Sequence, residues 1–301
     1  MKIVVIGSTN TDMVIQTGHL PAPGETILGG EFLMNPGGKG ANQAVAASRL
    51  GGDVAFISKT GNDIFGEKSV ENLRKEGINT ENMIVDQKNP SGVALITVDS
   101  KAENCIVVAP GSNMNLKPDD IEKAVGQIGM AEIVLLQLEI PIETVEFAVR
   151  VAYKNNRKVI LNPAPAQKLS DVILKTIYIL TPNETEAGIL TGVNVTDLET
   201  AKRAAQILKK KGVDIIIITM GENGAYIHTD SLSELIPAPE VTAVDTTAAG
   251  DTFNGALAVA VAEGLNIREA VQFANKAASI AVTKLGAQAS APYRREVGGG
   301  E

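Results

Sequence analysis

The sequence predicts an α/β fold: a three-layer, doubly wound, mostly parallel sheet flanked by helices, with a small β-sheet lid standing off it. Short runs rich in β-branched residues alternate with longer helical patterns along most of the chain. Those runs are apolar throughout rather than alternating, as in strands buried on both faces. Two turn-punctuated stretches, at about 12–35 and 80–110, break the alternation and supply the lid.

In chain order, strands are expected at Ile3–Ile6, Val54–Ile57, Ile133–Leu136, Val159–Leu161, Ile177–Leu180 and Ile215–Thr219. Helical patterns lie near 40–51, 63–76, 118–128, 142–155 and 197–211. The lid stretches carry Pro21, Pro23-Gly24, Gly29-Gly30, Asn89-Pro90 and Pro110-Gly111, and their connections suit antiparallel pairing. A strand at Val241–Val244 is expected to lead into a helix pair at about 251–263 and 267–284, rich in Ala, with Gly255 and Gly264. Residues 1–301 are expected to form one such domain, and the tail Gly298-Gly299-Gly300-Glu301 to be disordered.

Aromatic residues are 3% of the chain and Trp is absent, so the core must be built from Ala, Val, Ile and Leu, and no stacking platform for nucleic-acid bases is expected. A formal net charge of −8 also disfavours nucleic acid as a partner. Cys105 is the sole cysteine, so no internal disulfide forms; beside Ile106, Val107 and Val108 it reads as packing. The apolar run Ile3–Ile6 is too short for a signal peptide or a membrane span, which makes the cytoplasm the expected location and leaves no membrane partner.

Six motifs carry candidate chemistry. In Asp245-Thr246-Thr247-Ala248-Ala249-Gly250-Asp251-Thr252-Phe253-Asn254-Gly255 small residues run into a helix start at about Asp251. Unpaired N–H groups there, with the helix dipole, form an anion site, and a carboxylate in it can take a proton from an attacking hydroxyl. The same Asp could simply cap the helix. Asn35-Pro36-Gly37-Gly38-Lys39-Gly40-Ala41-Asn42-Gln43 exposes backbone at a helix entrance. It is not a phosphate-binding loop of the Walker type, because Leu33 and Gly40 stand where that pattern needs Gly and Ser or Thr. Gly7-Ser8-Thr9-Asn10-Thr11-Asp12 follows the first strand but lacks the glycines of a dinucleotide fingerprint; Asn10 and Asp12 suit sugar hydroxyls or an Asx turn. Leu136-Gln137-Leu138-Glu139 sits at another strand end. In Thr181-Pro182-Asn183-Glu184-Thr185-Glu186, Asn183 and Glu186 share a helix face and can hold a hydrated Mg²⁺, or can serve as a helix start. Thr219-Met220-Gly221-Glu222-Asn223-Gly224 is a glycine turn able to approach a nucleotide, and on its own it reads equally as an ordinary structural turn.

Taken together and in this order, these motifs resemble the ribokinase family of carbohydrate kinases over the whole chain. Gly37–Gln43 resembles the family's first signature, Asp245–Phe253 its second, and Asn183-x-x-Glu186 its magnesium-associated motif. Asn162-Pro163-Ala164-Pro165-Ala166 and Gly286-Ala287-Gln288 extend the likeness, although Ala289 stands where the family often has Pro. The resemblance implies ATP-dependent phosphorylation of a primary sugar hydroxyl, with D-ribose the implied sugar. It implies that Asp251 is the base, and that the backbones of Ala248, Ala249 and Gly250 form the anion hole. Asn10, Asp12, Gly38, Lys39, Asn42 and Glu139, with Asp251, would bind the sugar. Asn183, Thr219, Gly221, Gly224, Gly250 and Asn275 would line the ATP site. Mg²⁺ would be held through water by Asn183 and Glu186. An activating K⁺ would sit between Asp245, Ser290 and the carbonyls of Thr247, Ala281, Lys284 and Gly286.

Other readings are weaker. Asp12 and Glu139 would repel a phosphorylated sugar, and four Tyr and six Phe give little wall for a purine acceptor. Deoxyribose and fructose remain as alternative sugars. A non-catalytic sugar- or nucleotide-binding regulator would have no need of a base at Asp251. The exposed edges of the lid predict a homodimer through it.

Overall fold

A computed structural model of the chain describes residues 2–101 and 103–298. Its strands are β1 (Lys2–Ile6), β2 (Asn10–Gln16), β3 (Phe32–Gly37), β4 (Asp53–Gly61), β5 (Met83–Asp86), β6 (Gly92–Val98) and β7 (Asn104–Ala109). They continue as β8 (Ile133–Leu136), β9 (Lys158–Leu161), β10 (Ile179–Leu180), β11 (Ile215–Thr219), β12 (Ala225–His228) and β13 (Ser233–Ile236). Nine form the main sheet in the order β13-β12-β11-β10-β9-β8-β1-β4-β5, and four form the separate sheet β3-β2-β6-β7. The main sheet is parallel from β11 to β5, and β12 and β13 close its far edge antiparallel.

The alternation of side chains along a strand divides the core. In β1, Val4 and Ile6 point into one apolar layer and Ile3 and Val5 into the other. Helices Ile142–Lys154 and Leu198–Lys210 cover the first layer; helices Lys39–Arg49, Ala249–Ala262 and Ile267–Ala281 cover the second. The mixed sheet between two helical layers, with the small second sheet, is the fold the sequence predicts.

Several elements differ from expectation. The lid is not wholly antiparallel: β2 and β6 pair in parallel at its centre, because the chain crosses β4 and a helix between them. The strand β5, within the expected lid region, joins β4 at the edge of the main sheet instead. Residues 241–244 form no strand; the N–H groups of Val244 and Asp245 both donate to the Val282 carbonyl. The hairpin β12–β13 was not expected. The pattern at 118–128 is divided into helices Pro118–Glu122 and Val125–Met130. Cys105 is exposed on the edge strand β7 rather than packed. A short helix, Arg294–Val297, follows Tyr293. Of the tail Gly298–Glu301 expected to be disordered, Gly298 is described and its N–H donates to the Arg294 carbonyl, while Gly299–Glu301 lie outside the described residues. Among the described residues no helix is long and apolar enough to cross a membrane.

Candidate active site

The sheet order reverses between β1 and β8, and the polar residues that follow the parallel strands gather at that reversal. Gly7–Asn10 follow β1, Gln137–Glu139 follow β8, Asn162 follows β9 and Thr181–Asn183 follow β10. Crevices at the carboxyl ends of parallel strands, where the winding reverses, are where open α/β sheets bind ligands. The entrance to helix Lys39–Arg49 is pressed against this point. Gly38 has φ 89°, and a Cβ there would lie 2.8 Å from the Asn10 nitrogen; a Cβ on Gly40 would lie 2.6 Å from the Ser8 nitrogen. Glycine is needed at both because backbone packs on backbone.

Helix Ala249–Ala262 begins in the same place. Ala248 adopts the left-handed conformation (φ 59°, ψ 15°), an unusual one for a residue with a Cβ, and turns the chain sharply into the helix. The amides of Ala248, Gly250 and Asp251 have no acceptor among the described residues, whereas the Ala249 N–H donates to the Thr246 carbonyl at 3.2 Å. The open amides and the helix dipole present a positive end to an anion.

Asp251, in the first turn, is 7% exposed. Asn42 Nδ2 donates to its Oδ2 at 2.9 Å and Gln43 Nε2 donates to its Oδ1 at 2.9 Å. Burial pushes its carboxyl above the ordinary range, against the pull of Lys39 and these two amides. No side chain caps the helix through Asp251; its carboxylate faces the crevice residues instead.

The sequence reading did not assign the network behind this carboxylate. Gln137 Nε2 donates to Gln43 Oε1, and Gln43 Nε2 also donates to Asn162 Oδ1 at 3.1 Å. Asn162 donates to the Thr181 carbonyl, Thr181 Oγ1 to Asn254 Oδ1 at 2.6 Å, and Asn254 to the Gly250 carbonyl. The signal available for finding them was position: Gln137, Asn162 and Thr181 each stand immediately after a buried strand.

The remaining predicted sugar residues line the space between lid and strand ends. Glu139 Oε2 accepts from Ser8 Oγ and from the Lys39 N–H at 3.0 Å. Asn10, 6% exposed, accepts from Asn113, whose amide also bonds both polar groups of the Thr9 backbone; Asn113 was likewise missed. Asp12 lies on the lid strand β2, and burial, reinforced by the charges of Glu139 and Asp251 and opposed by Lys39, raises its pKa from 3.8 to about 6. Burial pushes the Lys39 ammonium down, but attraction to Asp251, Glu139, Glu186 and Asp12 outweighs it and holds the pKa above the ordinary value. The site is therefore a cluster of carboxylates around one buried ammonium.

The expected nucleotide residues extend along the sheet. Asn183 and Glu186 form a reciprocal cap of helix Glu184–Thr191: Asn183 Oδ1 accepts the Glu186 N–H and Glu186 Oε2 accepts the Asn183 N–H, each at 2.8 Å. The helix-start reading of this motif is thus realised, yet buried Glu186 still interacts with Lys39 and Asp251 and is pushed up mainly by burial. Asn183 bridges to Thr219 in parallel register. Gly221 opens a short 3₁₀ turn with open space beside it. Gly224 packs against β13, where a Cβ would lie 2.1 Å from the Ile236 carbonyl oxygen, and Asn275 donates to the carbonyls of Ile236 and Pro237. Gly224 and Asn275 therefore both hold one wall, Ile236–Pro237.

The two segments expected around a monovalent cation are joined directly. Asp245 Oδ1 accepts the Thr247 N–H at 2.8 Å and Oδ2 accepts the Gly286 N–H at 2.9 Å. Lys284 donates to the Ala281 carbonyl through its backbone and pairs with Glu296 through its side chain, and buried Ser290 donates to the Ala287 carbonyl. Among the described residues no three His, Cys, Asp or Glu side chains gather as a metal cluster.

A buried carboxylate beside open helix-start amides, in a polar crevice at the strand ends, has the layout a phosphotransferase with an alcohol acceptor needs. The chain belongs to the pfkB family of carbohydrate kinases, whose family model matches residues 1–294. It is 46% identical to a ribokinase of Haemophilus influenzae over 98% of this chain and 96% of that protein. A deoxyribokinase of Salmonella typhi is 40% identical over 97% of this chain and 96% of its own length. Among solved structures, Arabidopsis thaliana ribokinase complexed with ribose and ATP superposes with a TM-score of 0.91 at 33% identity, covering 98% of this chain and 96% of that one.

Proposed function

We propose that this sugar kinase moves the γ-phosphoryl group of ATP onto the 5-hydroxyl of D-ribose, giving ribose 5-phosphate and ADP. The observation that carries the reading is Asp251: a buried carboxylate, gripped by Asn42 and Gln43, in the first turn of a helix with open amides. In this reading Asp251 accepts the hydroxyl proton as the oxygen attacks in line. The amides around Ala248, Ala249 and Gly250 receive the charge of the transferring group, with those of Ala248, Gly250 and Asp251 free to do so.

Asn10, Asp12, Gly38, Lys39, Asn42 and Glu139 hold the sugar. Asn42 Oδ1 is buried without a hydrogen-bond partner, which suits a sugar O–H donor. Asp12 and Glu139 supply acceptors and repel a phosphorylated sugar. Ribose is favoured over deoxyribose because relatives named ribokinase include the match of higher identity, 46% against 40%. The ATP site extends past Asn183, Thr219, Gly221, Gly224 and Asn275.

Asn183 and Glu186 fit a hydrated Mg²⁺, because two hard-oxygen side chains stand at the strand end and Glu186 has one carboxylate oxygen outside the cap. When bound, Mg²⁺ would neutralise phosphate charge. Asp245, the carbonyls of Thr247, Ala281, Lys284 and Gly286, and Ser290 form an oxygen-rich junction suited to K⁺, whose role would be to hold the loop bearing Ala248–Gly250. A second copy of the chain covers the lid, and the reaction takes place in the cytoplasm, where ATP is supplied.

A substrate panel tests the proposal. Ribose should give the highest kcat/KM among ribose, 2-deoxyribose, fructose and a phosphorylated sugar. Asp251→Asn should keep the fold by circular dichroism and lose about 10²–10⁴-fold in kcat. Turnover of ribose by that variant within a few-fold of wild type would remove Asp251 as the base, and a preference for deoxyribose would move the substrate.

A further inference from the structure

The buried amides behind Asp251 have the direction that an ionised carboxylate imposes. An ionised carboxylate accepts hydrogen bonds and donates none. The NH₂ group of Gln43 must therefore face Asp251 Oδ1, so its Oε1 points away, toward Gln137. Gln137 must in turn present its NH₂ group to Gln43, which leaves Gln137 Oε1 with no donor. Both glutamines are fully buried, so an unpaired oxygen there carries a real cost. Turning both amides over would give Gln137 Oε1 to a donor, but it would aim Gln43 Oε1 at the carboxylate.

The sequence maintains this arrangement. Gly7 makes room for the orphan oxygen, since a Cβ there would stand 2.1 Å from Gln137 Oε1. Asn162 takes the second N–H of Gln43 at 3.1 Å and fixes that amide in a plane. Asn42, one residue before Gln43 in the same helix turn, holds the other carboxylate oxygen, and its own Oδ1 is buried with no partner. The two neighbouring amides thus differ: Asn42 keeps an unused acceptor, whereas the acceptor of Gln43 is taken by Gln137.

We propose that Gln43, backed by Gln137, is a positioning residue for the phosphoryl-transfer step: a two-amide relay that keeps Asp251 ionised and fixes which oxygen receives the hydroxyl proton. The relay rests on the reading of Asp251 as the base and touches neither sugar nor ATP. Both oxygens accept one amide, but Gln43 is fixed from behind by Gln137 and Asn162, so the proton is assigned to Oδ2, beside Asn42. The charged groups facing Asp251 from other elements are Lys39 at the helix entrance, Glu139 after β8, Asp12 on β2 and Glu186 on helix Glu184–Thr191. They are common to every variant below, so differences between variants report the relay.

Removing a donor to the charged form favours protonation, and so moves the acid limb of kcat to higher pH. Gln43→Met should lower kcat at neutral pH about tenfold or more, move the acid limb up by about one pH unit, and leave the ribose KM within about twofold. Gln137→Met should shift both quantities in the same direction by less. The double variant should be no slower than Gln43→Met, because the two amides act in series. Asp251→Asn is measured alongside. If Asp251→Asn is inactive while Gln43→Met keeps the wild-type acid limb, the relay is overturned and the base assignment stands. If Asp251→Asn turns over normally, the base assignment itself fails. If Gln43→Met does not fold, Gln137→Met carries the same test, and a wild-type pH profile in it overturns the relay.

Discussion

At the scale of single residues, the site trades stability for chemistry, and Asp12 makes the trade measurable. Its carboxyl is buried on a lid strand facing Glu139 and Asp251, and its pKa rises from 3.8 to about 6. A carboxyl with a raised folded pKa favours the protonated folded state. Stability is therefore lost as pH rises from about 4 through about 6, and the loss persists above that. The difference, at about 1.4 kcal/mol per pH unit, bounds this cost at about 3 kcal/mol. Asp12→Asn should thus raise the unfolding midpoint at pH 8, raise it less at pH 5, and weaken ribose use through KM. A thermal melt showing equal or lower stability at pH 8 would mean that the charge is already compensated, by Lys39 or by water. Glu139 sits near the same charges, but its Oε2 is gripped by Ser8 and the Lys39 N–H, so substitution there removes made hydrogen bonds as well as a charge.

At the scale of elements, what the sequence made legible and what it hid follow one physical distinction. Strands buried on both faces are continuous apolar runs, so β1, β8, β9 and β11 are readable from Ile3–Ile6, Ile133–Leu136, Val159–Leu161 and Ile215–Thr219. Elements whose identity depends on a partner are not. Val241–Val244 has strand-forming residues but is exposed, and at its end the Val244 N–H donates to the Val282 carbonyl rather than to a strand. The hairpin β12–β13 is short and lies at an edge, and the parallel pairing of β2 with β6 is a property of the crossover. In the site, the helix start at Asp251 was legible from the small residues before it, while the choice between a base and a helix cap there came from the resemblance. Gln43, Gln137 and Asn162 were not, because an amide within a helix or at a strand end has the same local pattern whether it is solvated or buried. The junction of Asp245 with Gly286 belongs to this scale too. Both carboxylate oxygens accept N–H groups, which holds its pKa down despite burial and ties the two loops together. If K⁺ completes the junction, replacing it with Na⁺ at constant ionic strength should lower kcat severalfold or more, with Ala248–Gly250 less well held. Identical rates in protein dialysed free of K⁺ would leave the Asp245 hydrogen bonds as the whole of the junction.

At the scale of the molecule, the lid is where the chain is least self-sufficient. Registry places Thr11, Met13, Met34, Phe32, Leu95 and Val107 on one face and Asp12, Val14, Leu33, Ile96, Ile106 and Val108 on the other. Phe32, Met34, Leu95 and Val107 are each about half exposed or more, at 55%, 49%, 55% and 62%. The strand β7 is exposed along its whole length and bears no charge. An uncharged, apolar edge strand is an unprotected template for pairing with another chain. On the other face, beyond Asp12, Ile106 and Val108 are also exposed, so the roof of the crevice is incomplete in one copy. Contiguous apolar patches of this kind mark interaction sites, and a second lid offers both an edge and a face of matching character. The protein should therefore sediment as a dimer at micromolar concentration. Val107→Asp, on the outer edge strand and remote from Asp251, should give a folded monomer, because a buried carboxylate at the interface has no partner in this chain. Its ribose KM should rise while the affinity for ATP, whose proposed site lies along the main sheet, stays near wild type. A wild-type protein that sediments as a monomer would show that the lid stays bare, and a monomeric variant with unchanged ribose KM would confine the role of the dimer to covering apolar surface.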